Sequence, residues 1–280
     1  MTTSLPTVPS TGSVYRRAVG GLVRRRPNDA ELPEGALEVA DVGVTVAELA
    51  AYDRVCGFRL TDTLPATYPH VLAFPIAMHL MSDATFPFGV IGLVHIANTI
   101  TLRRPITVSE RLTFTVAAEQ LRPHDRGRQF DTVATASTGG EEVWRGVSTY
   151  LHRSKAPASE RSVAERAIAE PPEASAIWHV GRDVGTEYAQ VSGDRNPIHI
   201  SMLGARAFGF SRPIAHGMWS AARCLAALEG ELPDAYTYDV AFKRPIPLPS
   251  TVAFARRGPE ITLTSAKSGA PHLRATLTPL

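Results

Sequence analysis

The sequence predicts an α+β protein built twice over in one chain. Apolar residues fall at helical spacing ahead of runs that alternate with period two, and that order of elements occurs in both halves. Three ordered landmarks of the first half also reappear in the second. The 280 residues are 44% hydrophobic and 20% charged, enough chain for one large domain or two ordinary ones.

Residues 1–36 are rich in Ser, Thr, Pro, Gly and Arg, with no sustained period. They read as a loosely draped N-terminal arm, whose Arg16, Arg17 and run at 24–26 could meet an anionic surface. The first body follows at 37–153. Helices are expected near 45–55 and 72–81, then strands near 90–102, 111–121, 128–137 and 143–152. Residues 154–175 carry Pro157, Pro171 and Pro172 and read as a linker.

The second body spans 176–280. A helix over 182–192 is stopped by Gly193. Met218, Ala221, Ala222, Leu225 and Leu228 form the face of another, which begins near His216 and ends before Gly230 and Pro233. Tyr236, Tyr238, Val240 and Phe242 alternate with Thr237, Asp239 and Ala241, the period of a strand with one wet face. Short strands are expected at 252–255, 260–266 and 273–277.

The duplication rests on three correspondences. Residues 46–57 match 182–193 at Tyr, Val and Gly; Pro75-Ile76-Ala77 answers Pro213-Ile214-Ala215; and Leu102 to Ile106 answers Phe242 to Ile246.

Composition excludes several classes. A net charge of +2 is too small for a dedicated nucleic-acid binder. Cys56 and Cys224 make neither a disulfide framework nor a metal knuckle, so no metal site is expected. The first thirty residues hold no apolar signal core, and the longest apolar stretch, 86–100, falls short of the ~20 residues of a membrane span. The chain therefore reads as a soluble protein of a reducing compartment, the cytoplasm.

The chemistry concentrates in Ser192-Gly193-Asp194-Arg195-Asn196-Pro197-Ile198-His199. A carboxylate and an imidazole on one short loop form an acid/base pair, since one is anionic and the other titrates near neutrality. Pro197 fixes φ, and Asn196 can bond its own backbone, so the loop is stiff. The same letters also suit an Asx-turn with an exposed histidine. Seventeen residues past His199, Ile214-Ala215-His216-Gly217-Met218 opens the second helix. The Gly217 N–H at that helix start could donate to a developing oxyanion. Small size alone would equally explain a glycine there. His216 is expected to cap or pack rather than react, and Phe210 to wall a pocket or fill core.

The pattern running from Tyr188 through Ser192, Gly193, Asp194, Asn196, Pro197 and His199 to Gly209-Phe210 and Ala215-His216-Gly217-Met218 resembles the hydratase 2 motif. That motif belongs to the MaoC-like (R)-specific enoyl-CoA hydratases and 3-hydroxyacyl-thioester dehydratases. Over residues 37–280 the chain is similar to double hot-dog dehydratases of the actinobacterial type. There a degenerate N-terminal hot-dog precedes a catalytic one, each a curled antiparallel sheet around a long central helix. The resemblance implies catalytic roles for Asp194 and His199, with the Gly217 N–H stabilising the thioester enolate. Ser192, Asn196, Phe210, Lys243 and Arg244 are expected at the substrate, with Arg103 and Arg104 as first-half equivalents of the last two. Phe58 follows Gly57 where Asp194 follows Gly193, so one active site per chain is expected. Leu225 stands where some short-chain members carry a hydroxyl.

The expected reaction is reversible addition of water to a trans-2-enoyl thioester, giving the (3R)-hydroxyacyl thioester. His199 is expected to move the C2 proton. Asp194 is expected to activate water, or to protonate the leaving hydroxyl if its pKa is raised. No cofactor is implied beyond the CoA or acyl carrier protein that carries the acyl group. The two halves would form a pseudo-dimer within the chain, which leaves room for a further homodimer. Val71, Leu72, Phe74, Ile76, Phe86 and Phe88 suit either plain core or an acyl tunnel. Two alternatives stand beside this reading, an acyl-thioester hydrolase on the same fold and a non-catalytic thioester-binding subunit.

Overall fold

A computed structural model describes residues 1–20, 31–153 and 172–280. The arginines at 24–26 and most of the expected linker, 154–171, lie outside the described residues.

The strands β1 (Thr2–Ser4), β2 (Ala36–Val42), β3 (Leu93–Leu102), β4 (Leu112–His124), β5 (Gly127–Thr138) and β6 (Glu141–Arg153) belong to the first half. The strands β7 (Ala176–Val180), β8 (Tyr236–Phe242), β9 (Ser250–Arg257), β10 (Glu260–Ser265) and β11 (Pro271–Pro279) belong to the second. All eleven lie in one sheet of order β1-β2-β4-β5-β6-β3-β8-β11-β10-β9-β7. Among the described residues only β1 and β2 pair in parallel. The halves join where β3 pairs antiparallel with β8, Asn98 opposite Val240 and Leu102 opposite Tyr236. Alternation holds as expected along β8, with Tyr236, Tyr238 and Val240 buried and Asp239 exposed.

In the first half, α2 (Val46–Cys56) opens on a capping box in which Thr45 and Glu48 satisfy each other's backbone N–H. It closes on Gly57 at φ 84°. Helix α3 (Tyr68–Met81) is apolar on nearly every face, as a helix enclosed by sheet must be. In the second half, α4 (Val184–Ser192) closes on Gly193 at φ 73°. Left-handed geometry at both glycines explains why glycine recurs at these matched positions. Two short helices follow, α5 (Pro197–Ile200) and α6 (Met202–Ala207). Helix α7 (Gly217–Ala226) buries Met218, Trp219, Ala221, Ala222, Cys224 and Leu225. A central helix wrapped by antiparallel strands, present twice, is the hot-dog arrangement that the resemblance implied.

The duplication shows in packing. Tyr52 and Tyr188, matched in sequence, face each other across the halves with ring centroids 6.3 Å apart. One of the three landmarks is corrected. Pro75 lies inside α3, whereas Pro213 precedes α7. The true counterpart of Ala215 is Leu64, since each N–H donates to the buried isoleucine strand end, Ala215 to Ile246 and Leu64 to Ile106. The second half runs from Gly193 to Ala215 before reaching that bridge, and the first only from Gly57 to Leu64. The additional stretch is the one that carries the Asp194–His199 loop and the two short helices. A shared Pro-Ile-Ala tripeptide therefore misaligned the halves.

The N-terminal segment also departs from expectation. Instead of a draped arm, it forms β1 along β2 and then α1 (Thr11–Gly20), with Val14 only 2% exposed. A single buried valine and a strand of three residues are too little signal to register as a period in sequence.

Candidate active site

The loop after α4 is held by its own polar groups. Ser192 Oγ donates to the Tyr188 carbonyl at 2.7 Å and accepts from the Asp194 N–H at 3.2 Å. Asp194 Oδ1 accepts from the Asn196 N–H at 3.1 Å, and Asn196 Oδ1 accepts from the Ile198 N–H at 3.4 Å. Ser192, expected at the substrate, is buried with its hydroxyl bonded within the loop. Asn196 likewise spends its carbonyl oxygen capping α5. These are Asx- and ST-type turns that fix where Asp194 and His199 point.

His199 Nδ1 lies 2.7 Å from the Ile214 carbonyl. A carbonyl only accepts, so Nδ1 carries the proton and Nε2 is left as a base. His216 is 2% exposed and its Nε2 donates to the Asp194 carbonyl at 3.0 Å, the packing role expected for it. The His199 and His216 rings stack with centroids 3.7 Å apart. Donor atoms of Asp194, His199 and His216 all lie within 4.8 Å of one another. Such spacing could hold a cation. His216 Nε2 is spent on the Asp194 carbonyl, whereas His199 keeps Nε2, with its lone pair, beside the Asp194 carboxylate.

Burial pushes the Asp194 carboxyl up, but the His216 and His199 rings, the Tyr15 hydroxyl and the Asn196 N–H together bring it below the usual carboxylate range. Burial lowers His199 despite the opposing pull of Asp194, and it takes His216 down to about 3. Near neutral pH the site holds an ionised carboxylate beside neutral imidazoles. The expected role of Asp194 as an acid with a raised pKa is therefore not met.

Gly217 is the first residue of α7, and its N–H makes no hydrogen bond among the described residues. The Phe242 ring stands 3.1 Å from where a Cβ would sit on Gly217. A side chain there would press on the ring, so glycine lets the helix start lie close against Phe242. Phe242 in turn meets His95 of β3 edge to face, at 5.0 Å between centroids. His95 also stacks on His70 and Tyr150, so first-half side chains pack behind Phe242. Sequence reasoning missed these residues. It also missed Tyr15, which donates to Asp194 Oδ1 at 2.8 Å.

Arg244 lines a cleft of about 830 Å³ together with Arg212, Lys267, His179 and His272, with neither of the loop residues Asp194 and His199 among its walls. Lys243 does not line it, though neither Lys243 nor Arg244 enters an ion pair among the described residues. Arg103 and Arg104, which match that pair in position, are instead taken up by Glu142 at 2.8 Å and by Glu110 at 2.8 Å. Phe210 is partly buried, its N–H bonded to the Ala205 carbonyl. Val71, Ile76, Phe86 and Phe88 pack as core, while Leu72 and Phe74 are partly exposed.

Comparison with known proteins bears on this geometry. Residues 163–258 match the model of the MaoC like domain. Across 97% of its length the chain is 37% identical to 3-hydroxyacyl-thioester dehydratase X of Mycobacterium tuberculosis, covering 99% of that protein. The chain belongs to the MaoC-like dehydratase family. A crystal structure of HtdX from Mycobacterium tuberculosis superposes with a TM-score of 0.78 at 36% identity, covering 88% of this chain and 100% of that one. A MaoC-like dehydratase from Phytophthora capsici shares the fold at 18% identity, with a TM-score of 0.72 over 91% of this chain and 98% of that one. In this MaoC-like chain no described helix is long and apolar enough to cross a membrane.

Proposed function

We propose that the protein catalyses the reversible, (R)-specific interconversion of trans-2-enoyl and (3R)-hydroxyacyl thioesters in fatty-acid metabolism, as a hydro-lyase. What supports this reading is that donor atoms of Asp194, His199 and His216 lie within 4.8 Å of one another, with the open N–H of Gly217 next in the chain. One water can be shared by Asp194 and His199 while the thioester carbonyl meets the Gly217 N–H. Asp194 orients that water as acceptor, and His199 Nε2 takes a proton from it as the oxygen adds to C3. The same proton then passes to C2 of the enolate. In dehydration the proton leaves C2 for His199 and departs with the hydroxyl as water. Gly217 stabilises the enolate oxygen that both directions share. General acid–base catalysis of this kind supplies roughly 10²–10⁴ in rate, and a backbone oxyanion donor roughly 10²–10³.

The balance of atoms requires no redox or metal cofactor. The acyl group arrives on CoA or acyl carrier protein, and the cleft bearing Arg212, Arg244 and Lys267 suits the phosphates of either carrier. The two halves act as a pseudo-dimer, a reading supported by the sheet continuous through β3 and β8.

The test follows enoyl absorbance of crotonyl-CoA and longer trans-2-enoyl-CoA esters alongside a thiol reagent. Loss of absorbance without thiol is the expected result, with Asp194→Asn and His199→Gln each at least a hundredfold slower. Thiol release would make the protein a hydrolase. No change across the ladder on either carrier would leave a binding subunit.

A further inference from the structure

The N-terminal helix α1 reaches the catalytic loop from the opposite end of the chain. Tyr15 and Asp194 are 179 positions apart, yet the phenol donates to Asp194 Oδ1 at 2.8 Å. The same phenolic oxygen lies against the Arg195 backbone N–H. The phenol therefore bridges two consecutive residues of the loop. The methyl of Thr11, one turn earlier on α1, occupies the space beside Gly193, only 2.6 Å from where a Cβ would be. Helix α1 is in turn fixed by buried Val14 and by Arg17, whose guanidinium lies 3.3 Å from His79 Nε2 on α3.

We infer that Tyr15 is a positioning residue for the catalytic carboxylate, delivered by an N-terminal segment that is part of the active site. This rests on the function proposed above. The Asp194 carboxylate has two oxygens, and Tyr15 and Asn196 both bond Oδ1. Oδ2 is thereby turned to the space shared with the imidazoles, 3.8 Å from His216 Nε2. The Tyr15 and Asn196 hydrogen bonds add to the pull of the two rings in keeping the carboxylate ionised, and they fix its direction. Without the phenol, the carboxylate can rotate about its terminal torsion, which is broad and soft for Asp. It then no longer holds an oxygen lone pair in line with the water.

Tyr15→Phe keeps the ring and removes only the hydroxyl. The expected result is a fall in kcat of at least tenfold with KM within twofold, and an acid limb of the rate profile shifted to higher pH. Arg16→Ala, an exposed change on the same helix, is expected to leave that limb where it is. A carboxyl-¹³C titration of aspartate-labelled protein, with Asp194 assigned by its loss in Asp194→Asn, reads the link without any turnover. The Asp194 midpoint is expected to rise in Tyr15→Phe. In the unaltered protein the Tyr15 ¹³Cζ signal is expected to move with the same midpoint. If no thioester is turned over, the functional reading fails while this titration still decides the role of Tyr15. Unchanged or increased kcat in Tyr15→Phe, or a Tyr15 signal indifferent to Asp194, would overturn the inference.

Discussion

The imidazoles of His199 and His216 lie face to face with centroids 3.7 Å apart, and each donates one N–H to a backbone carbonyl. Each ring thus has a fixed orientation and a fixed tautomer. For His199 the fixed tautomer leaves Nε2 as the base, while His216 serves as the buried plate against which it rests.

This arrangement sets the pH dependence. The working state needs Asp194 ionised and His199 neutral, and both groups titrate below their ordinary values. Hydration kcat/KM is expected to be level at neutral pH, with an acid limb whose midpoint lies under the roughly 6.5 of a free imidazole. Folding follows the same sign. The unfolded chain binds protons at His199 and His216 that the folded one refuses, so stability is lost as pH falls below about 6.5. A rate profile and thermal melts between pH 4 and 8 check both, and an acid limb above neutrality would contradict this assignment.

Gly217 and Phe242 form a steric pair. The added methyl of Gly217→Ala would meet the ring at 3.1 Å, so the ring or the helix start must give way. A kcat decrease of about tenfold to a hundredfold is expected, from a displaced oxyanion donor. Phe242→Leu in the same background should recover part of the loss. Steady-state kinetics on the single and double variants measures this, and additivity would exclude the coupling.

Gly185 on α4 has no evident role in sequence, yet a Cβ there would stand 2.1 Å from the His199 carbonyl oxygen. Gly185→Ala must push α5 away and carry His199 with it. The expected cost is about 1–3 kcal/mol of stability, as for other overpacked sites, together with reduced kcat. Denaturant melts paired with turnover decide the matter. Full stability would mean that the helices separate freely.

Asp53 is 2% exposed, and neither carboxyl oxygen has a partner among the described residues. Burial, with Glu229 nearby, raises its carboxyl to about 7. The folded chain therefore keeps a proton that the unfolded chain releases from about pH 4 upward, so stability declines between about 4 and 7 and stays reduced above. Asp53→Asn is expected to raise stability at pH 8, by an amount on the order of 1–3 kcal/mol, and to change little at pH 4. Melts at the two pH values test this, and an equal gain at both would refute it.

What the sequence by itself determined is local. Gly57 and Gly193 end helices because left-handed backbone is cheap only for glycine. The alternation through 236–242 places one strand face in the core. The Asp194 to His199 loop carries its geometry in turn residues within hydrogen-bonding range of one another, so a reader of letters can find it. The tertiary structure alone decided the rest. It brought Tyr15 to Asp194 and Phe242 to Gly217, joined β3 to β8, and replaced the Pro75 landmark with Leu64. These partners lie tens to nearly two hundred residues apart, and neither period nor turn chemistry encodes which of them meet. That choice is made when both halves close into one sheet and bury their helices, where only certain side chains fit the space left between them.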